Sequence, residues 1–496
     1  MEGLEETQGQ GMIEEPARGT VSRRQFLKIA GIAGAVLGVG GGLGGLLAAC
    51  GGDDETTTTA AGAEPTTEGG TQTTAGATTT VAAGAEQGRA LKVGIVVPMT
   101  GPLAEFGAPT KYLTDKVREV TAGKIVTKDG LERELEWIEN DSQSDSNRAA
   151  QVTGDLIQND NVDVILAEGG PDSVLGPADQ CEALGCPGLF CNVPWTAFVF
   201  GRGNDGQTPF QWTYSSCVGT QENGRAAVSA FENYPPGTNK KIALLYPNNA
   251  NGIEYSDMSN GIPPLLDELG YSYVLPDLYP PGAEDFTAQI STFKREGCEM
   301  LMGSGVTPEF ANFFNQAVQQ GFTPPLMSNG IALLFPSAPE AIGPTAENLI
   351  CEIAFHPTLP YTSPLTGQTA AELCSEYEEA TGNQWTGILN AIRLYEWTID
   401  VFQRAENVED KASIMEAVKA TNIDSVAYPM DFTLPLGDKQ RPHPNVFIAP
   451  VLAGQWQKGS GQWPFEQVII GYGAFPELES QIPLGSETLG ATYGES

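Results

Sequence analysis

One stretch constrains the fold more than any other. It runs from Leu91 to Gly107 and reads LKVGIVVPMTGPLAEFG. The mostly apolar segment Leu91–Val97 predicts a buried β-strand that ends at Pro98, and a Thr-Gly-Pro turn leads to a helix that begins near Gly107. A strand that runs into a helix is half of a βαβ unit. Ligands bind at such junctions in open α/β sheets, because free backbone N–H groups and the positive end of the helix dipole collect there.

Predicted strands and helices alternate after this stretch, as far as about Gln320. The alternation pauses near Tyr214 and begins again with a strand at 241–246 and a helix at 253–269. This order is typical of parallel sheets that carry helices on both faces, and the restart indicates two similar lobes. We therefore expect an α/β fold with two Rossmann-like lobes.

The N-terminus has the features of an export signal. Arg23 and Arg24 precede Phe-Leu-Lys and an apolar run from Ile29 to Ala49, which resembles a twin-arginine signal. The run ends in Leu-Ala-Ala followed by Cys50, which resembles the lipidation site of bacterial lipoproteins. We predict a signal peptide over residues 1–49 and a lipid anchor on Cys50. The alternative is an uncleaved transmembrane helix, which the many glycines of the run disfavour.

A tether is predicted after the lipidated cysteine. Residues 50–88 consist mainly of Thr, Ala, Gly and Glu, with almost no large apolar side chain. Such a segment cannot bury enough surface to fold. We expect it to hold the globular part away from the membrane.

The composition excludes two classes of function. The 496 residues include 62 acidic and 26 basic side chains, so the formal net charge is −36. A surface of this charge repels nucleic acid, which binding proteins meet with clustered Lys and Arg. His356 and His443 are the only histidines in the sequence, which excludes a metal site with several histidines from one chain. We expect no metal and no cofactor.

Several short motifs occur in an order that resembles a known family. In chain order they are Lys92–Ile95, Thr100–Pro102, Phe106–Gly107, Asp141 with Asp145, Pro177–Ala178, Pro194–Trp195, Tyr246–Asn248 with Gly252, and Asp285–Thr287 with Ile290. The order resembles that of ABC-transporter substrate-binding proteins of the Leu/Ile/Val-binding, type-1 periplasmic binding family, from about Arg89 to Gln467. The resemblance implies two Rossmann-like lobes with parallel sheets, joined by a three-segment hinge that closes around a ligand.

The same resemblance implies how the chain is divided. We place the crossings between the lobes near Ser215, Asn348 and Tyr428. Lobe one then comprises residues 90–215 and 348–428, and lobe two comprises residues 216–347 and 429–475. An irregular C-terminal tail is expected over residues 476–496.

Six strand-to-helix junctions are expected to face the cleft: residues 100–106, 169–173 and 192–195 in lobe one, and 248–254, 305–307 and 328–330 in lobe two. The predicted ligand-binding residues are Phe106, Gly170, Asp172, Ser173, Val193, Trp195, Asn251, Thr307 and Asn329. The backbone at Asp172–Ser173 and the Ser173 hydroxyl would hold an anionic group, although both residues also suit ordinary helix N-capping. Phe106 and Trp195 would supply apolar walls, or else belong to the core of lobe one.

The sequence departs from the amino-acid binders of the family at one place. In those proteins an acidic side chain on lobe two meets the α-amino group of the ligand. The matching positions here hold Asn329 with Gly330 and Val306 with Thr307, none of which is acidic. The departure favours a small carboxylate, an amide such as urea or an aromatic compound, unless Glu168 or Asp172 replaces the missing charge.

Seven cysteines follow Cys50, and their odd number leaves at least one outside any intramolecular disulfide. Disulfides persist outside the cytoplasm. The first candidate pairs Cys181 with Cys186 or Cys191, and the second pairs Cys351 with Cys374. Cys298 is expected to be a small buried side chain.

The features together predict a binding protein and not an enzyme. The expected role is an extracytoplasmic, lipid-anchored monomer that captures an amino acid, an amide or a small carboxylate and delivers it to an ABC permease. One alternative is a ligand-sensing subunit of the same fold for a surface receptor. Another is a secreted hydrolase, which needs a nucleophile and a base that His356 or His443 would have to provide.

Overall fold

The structure is a computed structural model that describes residues 86–493. The predicted signal over residues 1–49, the predicted lipidation of Cys50 and most of the predicted tether lie outside the described residues. The last tether residues are within them, and Gly88 donates a backbone hydrogen bond to the carbonyl of Glu132. None of the described helices is long and apolar enough to cross a membrane.

Two seven-stranded sheets form the centres of the two lobes. The first sheet has the order β14-β6-β5-β4-β1-β3-β2 and is parallel except for the β2–β3 pair. Its strands are β1 (Leu91–Val97), β2 (Lys124–Val126), β3 (Glu132–Asp141), β4 (Val164–Ala167), β5 (Gly188–Pro194), β6 (Thr213–Val218) and β14 (Val446–Ile448).

The second sheet also has seven strands and is mostly parallel, but its antiparallel strands lie at the opposite end of the chain order, at β15 and β16. Its order is β16-β15-β11-β10-β9-β7-β8, and only the pairs made by β15 are antiparallel. Its strands are β7 (Lys241–Leu245), β8 (Ser272–Val274), β9 (Met300–Gly303), β10 (Leu326–Asn329), β11 (Leu349–Ile353), β15 (Leu452–Lys458) and β16 (Phe465–Gly471). A separate two-stranded sheet joins β12 (Asn422–Ile423) to β13 (Met430–Asp431).

Helices cover both faces of each sheet, as the alternation predicts. The helices between the strands of the first sheet are α1 (Ala104–Gly107), α2 (Thr110–Thr121), α3 (Ser146–Gln158), α4 (Pro171–Leu184) and α5 (Trp195–Val199). Those of the second lobe are α6 (Thr220–Glu232), α7 (Ala250–Ser256), α8 (Ile262–Glu268), α9 (Thr287–Glu296), α10 (Thr307–Gln319) and α11 (Ser337–Ile342). Further along the chain, α12 (Ala370–Thr381), α13 (Ile392–Arg404) and α14 (Lys411–Lys419) return to the first lobe.

The Asp141 motif has a local structural role. The Asp141 carboxylate accepts hydrogen bonds from the backbone N–H groups of Met99 and Thr100, at 2.9 and 3.2 Å, and from the Thr100 hydroxyl at 2.6 Å. These bonds join the end of β3 to the turn after β1. Asp145 caps α3 by accepting a hydrogen bond from the backbone N–H of Arg148.

The chain crosses between the lobes at three connections, two of which differ from the prediction. The first crossing follows Val218, close to the predicted position near Ser215. The crossing predicted near Asn348 is wrong, because β11 lies in the second sheet, where it pairs with β10 and β15. The crossing predicted near Tyr428 is also wrong, because β14 pairs with β6 in the first sheet. The real crossings therefore follow β11, at Ala354, and β14, at 449–451.

The C-terminal tail packs against the second lobe. Apart from a 3₁₀ turn at Pro476–Ser480 its described part is irregular, as predicted. The backbone N–H of Ala491 donates to the carbonyl of Pro325 at 2.8 Å, and the Tyr493 ring stacks on Phe314. The tail thus contributes to the surface of this lobe.

The structure contradicts the predicted disulfides. Cys181, Cys186, Cys351 and Cys374 are all buried free thiols. The Cys186 thiol faces the backbone carbonyl of Val162, and the Cys351 sulfur accepts a hydrogen bond from the Gln467 side chain at 3.5 Å. These contacts replace the bonds expected with Cys181 and Cys374. Cys191 also forms no bond with Cys181, because Cys181 is free.

Candidate ligand-binding site

A cavity of about 60 Å³ lies between the two lobes. All three connections border it, because Val218, Ala354 and Val451 line its wall. The remaining lining comes from both lobes, at the carboxyl ends of the parallel strands. This is where open α/β sheets bind ligands, and a small cavity between two lobes is suited to a small molecule.

Apolar side chains from both lobes form much of the wall. Phe106, Pro194 and Ile388 come from the first lobe, and Ile331 and Leu334 come from the second. Phe106, Leu334 and Ile388 are buried in one hydrophobic cluster. The cluster spans the cleft, so the apolar wall also helps to hold the lobes together.

Three polar side chains of the second lobe face the cavity beside this wall. Asn223 donates a 2.6 Å hydrogen bond from Nδ2 to the Tyr255 hydroxyl. Asn223 Oδ1 and Asn251 Nδ2 are buried and have no hydrogen-bond partner among the described residues. Because a buried polar atom without a partner costs free energy, these two atoms mark positions where a ligand would bind.

Glu352 supplies a carboxyl group to the same cavity. It lies on β11, in the otherwise apolar sequence LICEI. Burial without a neighbouring positive charge raises the pKa of Glu352 from 4.5 to about 8. Its charge also raises the pKa of two buried tyrosines, Tyr246 and Tyr255, which places all three groups close together.

A second buried carboxyl lies behind the cavity wall in the first lobe. Asn192 lines the cavity and donates a 2.6 Å hydrogen bond from Nδ2 to Glu168. Its amide also exchanges hydrogen bonds of 3.0 and 2.9 Å with the amide of Asn390. The network fixes the Asn192 side chain, whose backbone has a positive φ of 51°. Burial raises the pKa of Glu168 to about 8.

Hydrogen bonds across the cleft close one side of the cavity. Glu105 in the first lobe accepts a 3.0 Å hydrogen bond from the Thr307 hydroxyl in the second. It also accepts a hydrogen bond from the Ser337 hydroxyl. The Phe106 ring meets Phe335 edge to face, with centroids 5.2 Å apart. These contacts join α1 to the start of α10 and α11.

The other side is closed by α7. Glu254 on this helix accepts hydrogen bonds from the hydroxyls of Thr196 and Thr220. Asp172 at the start of α4 accepts a hydrogen bond from the backbone N–H of Ala250. The lobes are therefore held in contact by two separate sets of hydrogen bonds, one through Glu105 and one through α7.

The structure places the nine predicted ligand-binding residues in three settings. Phe106, Gly170 and Asn251 line the cavity. Asp172, Trp195 and Thr307 lie at the seam between the lobes, where Trp195 is beside Glu222. Ser173, Val193 and Asn329 are buried inside their lobes.

Two of these last residues have local explanations. Asn329 Oδ1 accepts hydrogen bonds from the backbone N–H groups of Ile331 and Ala332, so this side chain caps the following turn. Val193 belongs to the main core of the first lobe. Ser173 Oγ is fully buried beside Gly169 and has no hydrogen-bond partner in the described part of the chain.

Glu352 is the most informative residue that the sequence prediction missed. The positions that match the acidic side chain of the amino-acid binders follow β9 and β10, and Glu352 lies at neither. A Glu inside a short apolar strand is itself a signal, because strands of a parallel sheet are buried on both faces and rarely hold a charge. Asn223 was missed because it lies in the first turn of a helix after a crossing.

Neither histidine can act as the base of a hydrolase. The two ring nitrogens of buried His356 contact the Thr358 hydroxyl and the backbone carbonyl of Gln467. His443 is also fully buried, and its nitrogens contact the carbonyl of Thr208 and the N–H of Asn445. Within residues 86–493, no group of three or more His, Cys, Asp and Glu side chains is placed to hold a metal ion.

Comparison with known proteins agrees with this arrangement. The sequence pattern of a family described as periplasmic binding protein matches residues 90–458. The chain belongs to the periplasmic binding protein family. No curated protein matches it significantly.

Solved structures of periplasmic binding proteins share the fold. The leucine-binding protein LivK of Thermotoga maritima has 22% identity and a TM-score of 0.61, with 76% of this chain and 98% of that chain covered. LivJ of Streptococcus pneumoniae in complex with isoleucine has 16% identity and a TM-score of 0.58, covering 77% and 99%. A solute-binding protein of Rhodopseudomonas palustris in complex with benzoate has 14% identity and a TM-score of 0.59, covering 82% and 100%.

Membership of the periplasmic binding protein family confirms the α/β fold with two lobes. It also confirms the prediction that the chain is a small-molecule binding protein and not an enzyme. Proteins of this family act outside the cytoplasm. The ligands in these two complexes are isoleucine and benzoate, which carry different net charges, so the fold does not determine the ligand.

Proposed function

We propose that this protein is a lipid-anchored solute receptor that captures one small molecule in the cavity between its lobes and delivers it to an ABC permease. The ligand classes that the sequence suggests are an amino acid, an amide and a small carboxylate. The lobes would close over the ligand, and the closed complex would dock on the permease as a monomer.

One observation carries the proposal: buried polar atoms without partners lie in the wall of an interlobe cavity. Asn223 Oδ1 and Asn251 Nδ2 face the same space as Glu352, opposite apolar side chains of the first lobe. Buried polar atoms are normally paired with protein, water or a ligand, so two such atoms in one cavity wall support a bound molecule there. A ligand with polar and apolar ends would complete both sets of contacts.

Thermal unfolding with a panel of compounds tests ligand capture. The panel contains branched-chain amino acids, short amides and urea, small carboxylates, aromatic acids and small amines. A compound present at about one hundred times its dissociation constant stabilises the folded protein by roughly 2.7 kcal/mol, which gives a measurable rise in melting temperature. The double variant Asn223→Ala with Asn251→Ala should abolish the rise. A rise that persists in this variant would place the ligand elsewhere.

The anchor and the transport role need separate tests. Fractionation of cells that make the unaltered protein or Cys50→Ala tests the anchor: the variant should be released from membranes by alkaline washing, and a variant that stays bound would contradict lipidation at Cys50. Uptake of the identified ligand by cells tests transport. Uptake that does not depend on this protein would contradict delivery to a permease.

A further inference from the structure

The cavity is lined by a carboxyl group and by no basic side chain. Glu352 is the only carboxylic acid among the lining residues, all of which belong to the described part of the chain, and none of them is Lys, Arg or His. A ligand carboxylate placed there would be buried without a positive partner.

Other acidic side chains surround the cavity. Glu168 lies behind Asn192, while Asp172 and Glu254 lie at the seam between the lobes. Burial raises the pKa of all three, and within residues 86–493 no basic group lowers it. The whole chain adds a formal charge of −36. A cation bound among these carboxyl groups would favour their ionised forms, and a bound anion would not.

The absence of a side chain at Gly330 leaves space beside the Glu352 carboxyl. A Cβ atom at Gly330 would lie 2.8 Å from Glu352 Oε1, so a larger residue there would occupy the room next to the carboxyl. Asn223 Oδ1 is a hydrogen-bond acceptor and Asn251 Nδ2 is a donor, and Glu352 becomes a further acceptor when a cation draws off its proton. A ligand that fits this lining has a hydrogen-bond donor for Asn223 and Glu352. It also has a hydrogen-bond acceptor for Asn251.

We propose that the ligand is a small organic cation, which carries an ammonium group bound by Glu352 and Asn223, an uncharged acceptor bound by Asn251, and no carboxylate. The inference rests on the proposed function and narrows it. It separates this chain from binders of zwitterionic amino acids and of aromatic acids, whose ligands carry a carboxylate.

Four compounds of nearly equal size and shape test the charge preference. L-Alaninamide has an ammonium and an amide, L-lactamide a hydroxyl and an amide, L-alanine an ammonium and a carboxylate, and L-lactate a hydroxyl and a carboxylate. Calorimetric titration of the purified full-length protein in detergent gives the four dissociation constants. Alaninamide should bind at least roughly tenfold more tightly than each of the others, because only it places a charge-assisted hydrogen bond on Glu352 without adding a negative charge.

The variant Glu352→Gln tests whether the Glu352 carboxyl causes the preference for the cationic compound. Glu352→Gln keeps the size of the side chain and should reduce the ratio of alaninamide to lactamide affinity to nearly one. Glu340→Gln, which removes an exposed carboxyl outside the cavity, should leave the ratio unchanged. A ratio that survives Glu352→Gln overturns the inference, and the four titrations of the unaltered protein stand even if this variant fails to fold.

The failure of the inference differs from the failure of the proposed function. Tighter binding of lactamide, alanine or lactate than of alaninamide would overturn the cationic ligand and still support a solute receptor. If none of the four binds and an acid or a neutral amide from the larger panel does, the inference is again overturned and the receptor role stands. If nothing in the larger panel binds, both are contradicted.

Discussion

Glu105 and Thr307 belong to different lobes, and the carboxylate of the first accepts a 3.0 Å hydrogen bond from the hydroxyl of the second. Ser337 donates to the same carboxylate. Both contacts exist only while the lobes are together. They therefore contribute to the free energy of closing and not to the folding of either lobe, and ligand affinity depends on that closing equilibrium.

Removing this contact should favour the open protein. In Thr307→Val the shape of the side chain is kept and the hydroxyl is lost, which costs about 1.5–3 kcal/mol for a hydrogen bond to a charged group. Ligand affinity should fall roughly tenfold or more, and small-angle scattering of the ligand-free protein should give a larger radius of gyration. Thr287→Val, at an exposed position of the same lobe, is the control. An unchanged affinity in Thr307→Val would show that the closed state does not depend on this bond.

The pH dependence of stability should reveal the buried carboxyls. Burial raises the pKa of Glu168 from 4.5 to about 8, so between these pH values the folded protein holds a proton that the unfolded chain has released. Stability therefore falls as pH rises through this window. Because each pKa unit is worth about 1.4 kcal/mol, the loss should reach a few kcal/mol by about pH 8.

Glu168→Gln isolates this contribution. The glutamine can still accept the hydrogen bond from Asn192 and has no proton to release. The melting temperature of the variant should therefore fall less steeply between about pH 5 and pH 8 than that of the unaltered protein. Exposed Glu340→Gln should retain the steeper fall. Identical slopes for all three proteins would mean that Glu168 is not protonated in the folded state.

The alternation of strands and helices was enough to predict the two lobes, because parallel strands and their covering helices leave a clear hydrophobic pattern. The pattern does not say which sheet a strand joins. The strand β11 follows β10 in the same sheet, and β14 returns to β6 across more than two hundred residues. Both strands are short and mostly apolar, so their composition does not show which sheet they join.

The residues of the candidate site were predicted less completely than the fold, for a related reason. Phe106, Gly170 and Asn251 follow strand ends, and that rule located them at the cavity. Glu352 lies within β11, and this strand borders the cavity because it joins the second sheet just before the second crossing. The prediction placed this crossing near Asn348, before Glu352, and therefore assigned Glu352 to lobe one. A glutamate within an apolar strand is unusual in any topology, so the sequence LICEI alone could have indicated a functional role for Glu352.

The buried thiols should remain unmodified in the folded protein. Cys181, Cys186, Cys351 and Cys374 are free, and burial raises the pKa of the Cys186 thiol to about 11. Because the thiolate is the reactive form, alkylation of these four should require unfolding. Peptide mapping after iodoacetamide treatment, with and without urea, checks this. Labelling without urea, or a peptide that links Cys351 to Cys374, would contradict the structure.

The close approach of Gly252 to Pro247 explains a motif that the sequence alone showed only as a pattern. A Cβ atom at Gly252 would lie 1.8 Å from the Pro247 carbonyl oxygen, which belongs to the backbone and cannot rotate away. Gly252→Ala must therefore displace α7, the helix that carries Asn251 and Glu254. We expect a loss of about 1–3 kcal/mol of stability, as for other overpacked sites.

The displacement of α7 should also affect binding, because this helix contributes to both the cavity and the seam. Gly252→Ala should lower the melting temperature and weaken ligand binding at a temperature where the protein is still folded. Gly154→Ala is the matched control: its new Cβ would meet only the Gln180 side chain at 3.4 Å, inside α3, where alanine is the better helix former. The control should be neutral or slightly more stable. Equal melting temperatures for the two variants would show that α7 can move away from Pro247 at no cost, and Asn251 would then not be held in place by this contact.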